Sequence, residues 1–544
     1  MMLWLQQFLP PCEVLLVQVV LPASLVFGII YLAHKYPTYS SGAIMLKLRG
    51  SKKKHNWKSV KSPQSRCSNC ELLLTTADAF GCDFCGVYVD SACLRKVNDS
   101  VVCKMLYSDA GSPMKHQYVP GNIMDGAECD ICEEECVDHI RCIWCHRTVH
   151  SSCRQMLGEV CDFGKWRNFV LPPNCVIKAQ KKNRAGKNMR LFSINCPPWS
   201  KNWTPLFIVA NKQSGANMGE SVLSSFRAIL NPLQVVDLSE KDPTFLCQLI
   251  AALPEDAKPR VLVAGGDGTV AWVLTTMHQF KLKSSPPVGL VPLGTGNDLS
   301  RVLGWGSEEP RPFSATEYIR KIQSAIEKPL DRWHVQLSKM ARRSLRFSPS
   351  EPKDIFMYNY MSIGVDALVT LDFHETRRSR FYIYSSRVIN KMLYLLYGTQ
   401  QVMERECQGL EKKLELYLDG EKMDLPEIES VVLLNIPSWG AGVKLWQLGC
   451  ETSKDIPEQS MSDSKIEVVG ISSSFHVARL QLGLSQPHRF GQASHVKIIL
   501  KAVAPVQVDG EPWLQVPCEF DVRATDQAFV LSTPIDECPA EPID

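Results

Sequence analysis

The stretch that decides the fold is Arg260-Val-Leu-Val-Ala-Gly-Gly-Asp-Gly-Thr269. It begins as a short apolar run, which predicts a buried strand, and it ends in a glycine-rich turn. Residues 270–280 follow with their apolar side chains at helical spacing. Strand, glycine turn and helix in this order are typical of phosphate-binding loops, because glycines let backbone N–H groups approach the phosphate oxygens.

Two further strand-and-turn units lie on either side of this one. The apolar run that starts at Pro205 leads into Asn211-Lys-Gln-Ser-Gly215, and the run that starts at Val288 leads into Gly294-Thr-Gly-Asn-Asp298. The repetition predicts a parallel α/β sheet whose loops gather at the carboxyl ends of its strands. The sequence G-x-x-x-x-G-K-[ST] does not occur in the chain, so it is not a P-loop enzyme.

Length and composition restrict the class of protein. The chain has 544 residues, enough for three or four domains. It carries 60 Lys and Arg against 57 Asp and Glu, and this even balance argues against a dedicated nucleic-acid-binding protein. A hydrophobic content of 45% with 22% charged residues excludes wholesale disorder, collagen and coiled coil.

Cysteine is concentrated in one region, since 13 of the 21 Cys fall between Cys67 and Cys161. The later cluster has enough ligands for two tetrahedral zinc sites of three sulfurs and one nitrogen, namely His116, Cys129, Cys132, Cys142, Cys145, His150, Cys153 and Cys161. The earlier cluster repeats the order with His55, Cys67, Cys70, Cys82, Cys85, Cys93 and Cys103. Asp90 stands where the second His would be, and a carboxylate can also bind zinc. Cys136 fits neither order and is expected to be a bystander.

The later cluster resembles the phorbol-ester/diacylglycerol type of zinc finger. The resemblance implies interleaved sites, one formed by His116, Cys142, Cys145 and Cys161, and the other by Cys129, Cys132, His150 and Cys153. The expected fingers span residues 55–103 and 116–161. Only 11 and 9 residues separate the two Cys pairs in the two fingers, so the lipid-binding loop is shortened. This favours a structural or protein-contact role, with diacylglycerol binding as the alternative.

An uncharged apolar segment of 20 residues, Val14–Ala33, is long enough to cross a bilayer. We expect an uncleaved membrane anchor at 14–33 rather than a signal peptide, because no Lys or Arg precedes the segment. Pro22 permits a re-entrant segment as well as a straight span. The basic linker 34–54 predicts contact with anionic phospholipids, and it places the bulk of the chain in the cytosol. The membrane expected is that of the endoplasmic reticulum or the plasma membrane, although the residues themselves do not indicate which organelle. The acidic tail 531–544 is expected to be disordered.

The order of the glycine loops resembles the catalytic domain of diacylglycerol kinases. The similarity continues through Leu330–Trp333, Asn359–Ala367 and Val508–Trp513. With two fingers and an apolar amino terminus, the chain is most similar to the epsilon type. The resemblance implies ATP-dependent phosphorylation of diacylglycerol to phosphatidate with magnesium, a preference for arachidonoyl chains, and a link between diacylglycerol signalling and phosphatidylinositol turnover.

The resemblance also assigns roles to residues. It places ATP against Asn211, Ser214, Gly215, Gly265, Gly266, Asp267, Gly268, Thr269, Gly294, Thr295, Asn297 and Asp298. Asp267 and Asp298 would lie near the magnesium ion. Asp509 would be the general base for the lipid hydroxyl, supported by Glu511. As an alternative from the residues themselves, Asn297 and Asp298 could simply cap the next helix.

The expected fold is multidomain, with an α/β nucleotide-binding catalytic domain at 201–342 and a mostly β accessory domain at 356–530. The second assignment rests on a succession of strand-like runs with few helices between them. Arg387–Gly398 is an apolar exception, either a core helix or the lining of an acyl channel. Asp162-Phe163-Gly164 matches a protein-kinase motif by chance, and Asp419-Gly420-Glu421 is expected to be a hairpin turn.

Two other functions remain open on the sequence alone. One is a different lipid or nucleotide kinase of the same superfamily, against which the two zinc fingers argue. The other is a non-catalytic lipid-sensing scaffold, against which the intact glycine loops and acidic residues argue.

Overall fold

The structure, a computed structural model, describes residues 55–60, 66–74, 78–107, 112–120, 128–136, 139–182, 188–212, 214–309, 312–339, 353–378, 407–449 and 456–534. The expected anchor, the basic linker, the segment Arg387–Gly398 and residues 535–544 of the acidic tail lie outside these ranges. Among the residues that are described, no helix is both long enough and apolar enough to cross a membrane.

The chain forms two compact units, one of residues 1–103 and 119–127 and the other of residues 104–118 and 128–544. In the first unit the earlier finger forms an antiparallel sheet, and a short helix follows it. These elements are β1 (Trp57–Ser59), β2 (Ala79–Cys82), β3 (Tyr88–Asp90) and α1 (Leu94–Ser100). The indole Nε1–H of Trp57 donates to Asn98 at 3.2 Å, which ties β1 to α1.

The later finger opens the second unit with a short antiparallel hairpin, and a second hairpin leads to the catalytic region. The strands in chain order are β4 (Tyr118–Pro120), β5 (His139–Cys142), β6 (Thr148–His150), β7 (Val176–Lys182) and β8 (Asn188–Ile194).

The catalytic region contains the predicted parallel α/β sheet, in the order β10-β9-β11-β12. Its strands are β9 (Leu206–Ala210), β10 (Val235–Asp237), β11 (Arg260–Gly265) and β12 (Val288–Pro292). Nearly every residue of these strands is buried, as expected for parallel strands covered by helices on both faces. The helices are α2 (Ser214–Ile229), α3 (Thr244–Ala251), α4 (Asp267–Phe280), α5 (Asp298–Val302) and α6 (Ala315–Ser324).

The same sheet continues beyond the catalytic region. Val530 pairs with Val288, so a strand from the end of the accessory region lies directly beside β12. The expected boundary between residues 342 and 356 therefore does not mark a break in the sheet. The added strands are β13 (Ile326–Lys339), β14 (Lys353–Met357), β16 (Leu414–Leu418), β17 (Glu421–Lys422), β21 (His495–Leu500) and β24 (Cys518–Ser532).

A second sheet of six strands has the order β20-β19-β18-β15-β22-β23, and its apolar side chains pack against those of β16, β21 and β24. The strands are β15 (Tyr360–Gly364), β18 (Ser430–Leu434), β19 (Ile466–Ile471), β20 (His488–Ala493), β22 (Ala504–Val508) and β23 (Glu511–Gln515). Three helices accompany them, α7 (Val365–Arg378), α8 (Leu410–Lys413) and α9 (Ser474–Gln481). The accessory region is mostly β, as the sequence predicts.

Candidate active site and metal centres

The later finger brings its eight predicted ligands together as two groups of four. One contains His116, Cys142, Cys145 and Cys161, and the other contains Cys129, Cys132, His150 and Cys153. Within each group all ligand atoms lie within 4.8 Å of one another. The interleaved pairing is therefore the one that the resemblance implies.

The separations inside these groups suit zinc. The Sγ atoms of Cys142 and Cys161 are 3.9 Å apart, and Cys145 Sγ lies 3.5 Å from His116 Nδ1. Tetrahedral zinc with Zn–S of about 2.3 Å places its ligands about 3.5–3.8 Å from each other. All of these cysteines are free thiols, so no disulfide competes for the sulfurs.

The earlier finger forms two equivalent groups, His55 with Cys82, Cys85 and Cys103, and Asp90 with Cys67, Cys70 and Cys93. Asp90 Oδ2 lies 3.0 Å from Cys70 Sγ, and its Oδ1 accepts the backbone N–H of Cys93 at 2.7 Å. The carboxylate thus takes the place that a histidine nitrogen has in the later finger. Cys136 is buried outside the four groups, as expected of a bystander.

Hydrogen bonds to backbone carbonyls orient the histidine ligands. His55 Nε2 lies 3.0 Å from the carbonyl oxygen of Val101, and His150 Nε2 lies 3.1 Å from that of Glu135. If each Nε2 carries the proton and donates it, Nδ1 keeps its lone pair and faces the thiols. Such outer contacts fix the tautomer that a metal requires.

The three glycine loops meet at one edge of the parallel sheet, at the ends of β9, β11 and β12. A Cβ on Gly294 would lie only 2.5 Å from Gly266 Cα, and a Cβ on Gly215 would lie 3.1 Å from the carbonyl oxygen of Leu293. The loops touch through glycine, so side chains here would push them apart. This packing brings the predicted nucleotide-binding residues into one place.

Asp267 links two of these loops. Its carboxylate accepts the backbone N–H groups of Asp298 at 3.1 Å and Leu299 at 3.2 Å, which are the first residues of α5. Asn297 instead braces its own loop, because its Oδ1 accepts from Gly294 N at 2.9 Å. Asn297 is the N-cap residue of α5, but its side chain makes no capping hydrogen bond. The alternative in which the side chains of Asn297 and Asp298 cap this helix is therefore wrong, since Asp267 from the neighbouring loop accepts the first N–H groups instead.

Asp298 is 1% exposed and connects the catalytic region to the accessory region. Its carboxylate accepts the hydroxyl of Ser438 at 2.5 Å and the backbone N–H groups of Gly442 at 3.0 Å and Ala441 at 3.2 Å. Burial raises the pKa of Asp298. The sequence pattern did not indicate this contact, because Ser438 lies 140 residues away along the chain.

A second pair of carboxylates reaches the loops from the β22–β23 hairpin. Asp509 is 4% exposed, and burial raises its pKa to about 7. Its Oδ1 accepts the backbone N–H of Asn359 at 2.7 Å, and its Oδ2 accepts that of Tyr358 at 2.8 Å. Glu511 is exposed. A Cβ added to Gly268, the residue after Asp267, would lie only 2.8 Å from Glu511 Oε1, so the Glu511 carboxylate lies directly against the second glycine loop.

Both Asp-Gly-Glu tripeptides are hairpin turns. Asp419 has φ 49° and Asp509 has φ 48°, and a glycine with positive φ follows each of them. Their surroundings differ, because the Asp419 carboxylate lies at the surface, where it accepts the backbone N–H groups of Ser494 and His495 and the Ser494 hydroxyl. The turn and site interpretations of Asp509 are therefore compatible. Asp162 belongs to the Asp162-Phe163-Gly164 sequence that matches a protein-kinase motif. Its Oδ1 lies 2.6 Å from Nη1 of Arg147 in the later finger, so the carboxylate forms an ion pair there, in agreement with a chance match.

Oxygen atoms beside Asp267 suit magnesium, which prefers carboxylate and carbonyl ligands. A Cβ on Gly296 would lie 3.5 Å from Asp267 Oδ2 and 3.2 Å from Asp298 Oδ2, so the two carboxylates face one space. The enclosure of the Asp267 carboxylate and the nearby charge of Asp298 raise the pKa of Asp267 to about 6. Asn359 Oδ1 is buried and has no hydrogen-bond partner among the residues that the structure describes. Asn359 is not among the site residues predicted from the sequence.

The later finger is docked on helix α2 of the catalytic region. Lys104 is 4% exposed, and its Nζ donates to the carbonyl oxygens of Arg227 at 3.1 Å and Ala228 at 2.8 Å. The same Nζ lies 4.6 Å from the ring centre of Trp144 in the finger. Asn231, just after α2, donates to the carbonyl of Leu106 at 3.0 Å. A cation at the carboxyl end of a helix is favourable, so this contact is stabilising.

Comparison with known families agrees with this arrangement. The family model described as "Diacylglycerol kinase catalytic domain" matches residues 205–328, and "Diacylglycerol kinase accessory domain" matches residues 356–512. The "Phorbol esters/diacylglycerol binding domain (C1 domain)" matches residues 116–164. The chain is thus a multidomain protein with a finger of the C1 type followed by these catalytic and accessory domains. The matches support ATP, magnesium and zinc as its cofactors.

Several curated proteins resemble the chain. "Probable diacylglycerol kinase 3" of Caenorhabditis elegans is 32% identical over 85% of this chain and 62% of its own length. "Diacylglycerol kinase 1" of Arabidopsis thaliana is 38% identical over 61% of this chain and 45% of its length, and "Diacylglycerol kinase theta" of Homo sapiens is 37% identical over 61% and 35%. The chain therefore spans less than two thirds of the length of each of these three relatives.

Proposed function

We propose that the protein is an ATP-dependent diacylglycerol kinase, which transfers the γ-phosphate of ATP to the primary hydroxyl of 1,2-diacylglycerol and releases phosphatidate. The single observation that carries this proposal is the meeting of Asp267, in the second glycine loop, with the Asp509–Glu511 hairpin of the accessory region. Phosphate-binding backbone and candidate acid–base groups thus share one site. The family matches and the named relatives support the choice of diacylglycerol as substrate.

The glycine loops would hold the phosphates of ATP through backbone N–H groups, including those at the start of α2 and α4. Asp267 and the amide oxygen of Asn359 would hold magnesium, which when bound neutralises charge on the β- and γ-phosphates. Asp298 lies in the same space, but its hydrogen bonds to residues 438–442 make it chiefly a brace between the two regions.

Asp509 would accept the proton of the lipid hydroxyl as that oxygen attacks the γ-phosphorus. Burial raises the pKa of Asp509 to about 7, which suits a base that works near neutral pH. Three backbone N–H groups, those of Tyr358, Asn359 and Tyr360, keep its carboxylate in place. Glu511 would support the reaction from the adjacent, exposed side of the turn.

The later finger would act mainly as a structural part of the catalytic unit. The docking of Lys104 against the end of α2 supports this role, because α2 begins at Ser214 in the first glycine loop. With 16 residues, the helix spans about 24 Å between the finger and the nucleotide-binding edge.

The finer parts of the proposal rest on the sequence. They are a membrane anchor at residues 14–33, contact of the basic linker with anionic phospholipids, and a bulk of the chain that faces the cytosol at the endoplasmic reticulum or plasma membrane. They also include similarity to the epsilon type, preference for arachidonoyl chains, and a role between diacylglycerol signalling and phosphatidylinositol turnover. Loss of membrane retention in carbonate extraction after deletion of residues 1–40 tests the anchor, and unchanged retention would disprove it.

A substrate comparison tests the activity. Purified full-length protein is given radiolabelled ATP and mixed micelles that contain diacylglycerol, sphingosine or ceramide. We expect label in phosphatidate alone. Label in phosphorylated sphingosine or ceramide would favour another lipid kinase of the superfamily, and no transfer to any lipid would favour the non-catalytic scaffold.

A further inference from the structure

The segment Leu330–Trp333 belongs to none of the glycine loops, yet all four of its side chains are buried. Exposure ranges from 0% for Leu330 and Trp333 to 3% for Arg332, so two charged residues and a tryptophan are enclosed. Buried polar groups of this kind destabilise the fold unless they are hydrogen-bonded. Here their hydrogen-bond partners connect the segment to Asp509, the candidate general base.

Trp333 acts through Asn435, a side chain that is 0% exposed. The indole Nε1–H of Trp333 donates to Asn435 Oδ1 at 2.9 Å. Asn435 Nδ2 in turn donates to the carbonyl oxygens of Asp331 at 2.9 Å and Tyr358 at 2.6 Å. The amide of Asn435 is thereby satisfied on both sides and joins the 330–333 segment to Tyr358.

Arg332 contacts the same tyrosine at its hydroxyl rather than at its carbonyl. The pairing of β13 with β24 shifts register between Asp331 and Trp333, where β24 has one residue more than β13, so Arg332 lies opposite an irregularity in β24. Bulges redirect side chains and are common beside active sites. Arg332 Nε donates to Tyr358 Oη at 3.0 Å, and its Nη1 donates to Asp526 at 2.5 Å.

Tyr358 is therefore held at its carbonyl and at its hydroxyl, and its backbone N–H donates to Asp509 Oδ2 at 2.8 Å. The next two backbone N–H groups, of Asn359 and Tyr360, donate to Oδ1. The backbone at 358–360 is thus the cradle of the Asp509 carboxylate. Its own position depends on Trp333, Arg332 and Asn435.

We propose that Trp333 and Arg332 are positioning residues, which hold Asp509 in its reactive orientation through the backbone at residues 358–360. The proposal rests on the proposed function, in which Asp509 is the general base. Neither residue touches the substrates in this account. Small misplacement of a reacting group costs up to about 100-fold in rate, so their loss should lower kcat while the binding of ATP stays intact.

The test compares two buried tryptophans that make the same kind of contact. Trp333→Phe removes the hydrogen bond to Asn435, and Trp203→Phe removes an equivalent bond to the carbonyl of Val170, made at 2.9 Å by a side chain 1% exposed. We expect similar losses of thermal stability in both variants. Only Trp333→Phe should lower kcat, by about tenfold or more, with the KM for ATP unchanged. An equal kcat in the two variants, or an effect confined to the KM for ATP, would overturn the proposal.

Tyr358→Phe keeps the test decisive if Trp333→Phe does not fold. It removes the hydroxyl that Arg332 holds but leaves the backbone N–H groups that bind Asp509. We expect a several-fold lower kcat with the KM for ATP unchanged, and a wild-type kcat would overturn the proposal. If the wild-type protein itself makes no phosphatidate, the proposed function fails instead, so the two failures are distinguishable.

Discussion

Lys104 donates to the carbonyl oxygen of Ala228 at 2.8 Å, and this bond joins the segment before the later finger to the end of helix α2. We expect Lys104→Ala to destabilise the second unit by about 1–3 kcal/mol, because buried carbonyl groups lose a charged donor. A lower thermal midpoint would show this. Lys115→Ala is the control, since Lys115 pairs with Glu159 at the surface, where ion pairs contribute little. Equal midpoints in the two variants would contradict a docked finger.

Zinc content tests the ligand role of Asp90. The four ligand groups predict four zinc ions per chain for the wild-type protein. Asp90→Ala should reduce the content to about three, because structural zinc needs four protein ligands. Asp99 is an exposed acidic residue on α1, so Asp99→Ala should leave the zinc content at four. A wild-type content of three would exclude Asp90 as a ligand.

The two Asp-Gly-Glu turns allow the same substitution to be compared in two surroundings. Asp509→Asn should lower turnover by about 10²–10⁴-fold, the usual contribution of a general base. Asp419→Asn should change little, because Asn-Gly serves a tight hairpin turn as well as Asp-Gly. Initial rates at saturating ATP decide the comparison. Equal and small effects would make Asp509 a turn residue only and direct attention to Glu511 and Asp267.

Glu467 predicts a pH dependence of stability. It is fully buried, accepts from Gln459 and Gln492, and burial raises its pKa from 4.5 to about 7. Because the folded protein holds the proton more tightly than the unfolded chain, this group stabilises the fold fully at pH values below its unfolded pKa of 4.5. The stabilisation is lost as the pH rises through the folded pKa of about 7. The loss is about 3.5 kcal/mol at most, since one pKa unit corresponds to ~1.4 kcal/mol.

Glu467→Gln should abolish this dependence. The thermal midpoint of the variant relative to the wild type should therefore rise between pH 5 and pH 8. Glu421→Gln, at an exposed turn position, should show no such trend. Parallel curves for Glu467→Gln and the wild type would refute the argument.

Local motifs allowed much of the site to be predicted from the sequence. The glycine loops and the cysteine clusters combine residues that are close along the chain or arranged in a fixed order, and the structure brings each set together. The hydrogen bonds that hold the site and the later finger in place were not predictable, because the two residues of each bond are far apart in the sequence. Trp333 and Asn435 are 102 residues apart, and Lys104 and Ala228 are 124 apart. The pairing of β24 with β12 was not predictable either, since no local pattern indicates that a strand from the end of the accessory region returns to the catalytic sheet.

The most direct test of the central claim is phosphatidate formation by Asp267→Ala in mixed micelles of diacylglycerol with radiolabelled ATP. We expect a loss of several orders of magnitude, because each ~1.4 kcal/mol lost from the transition state lowers the rate tenfold. We also expect wild-type zinc content, since Asp267 lies outside the four ligand groups. Near-normal turnover by this variant would contradict the assignment of the glycine loops and Asp267 as the site of phosphoryl transfer.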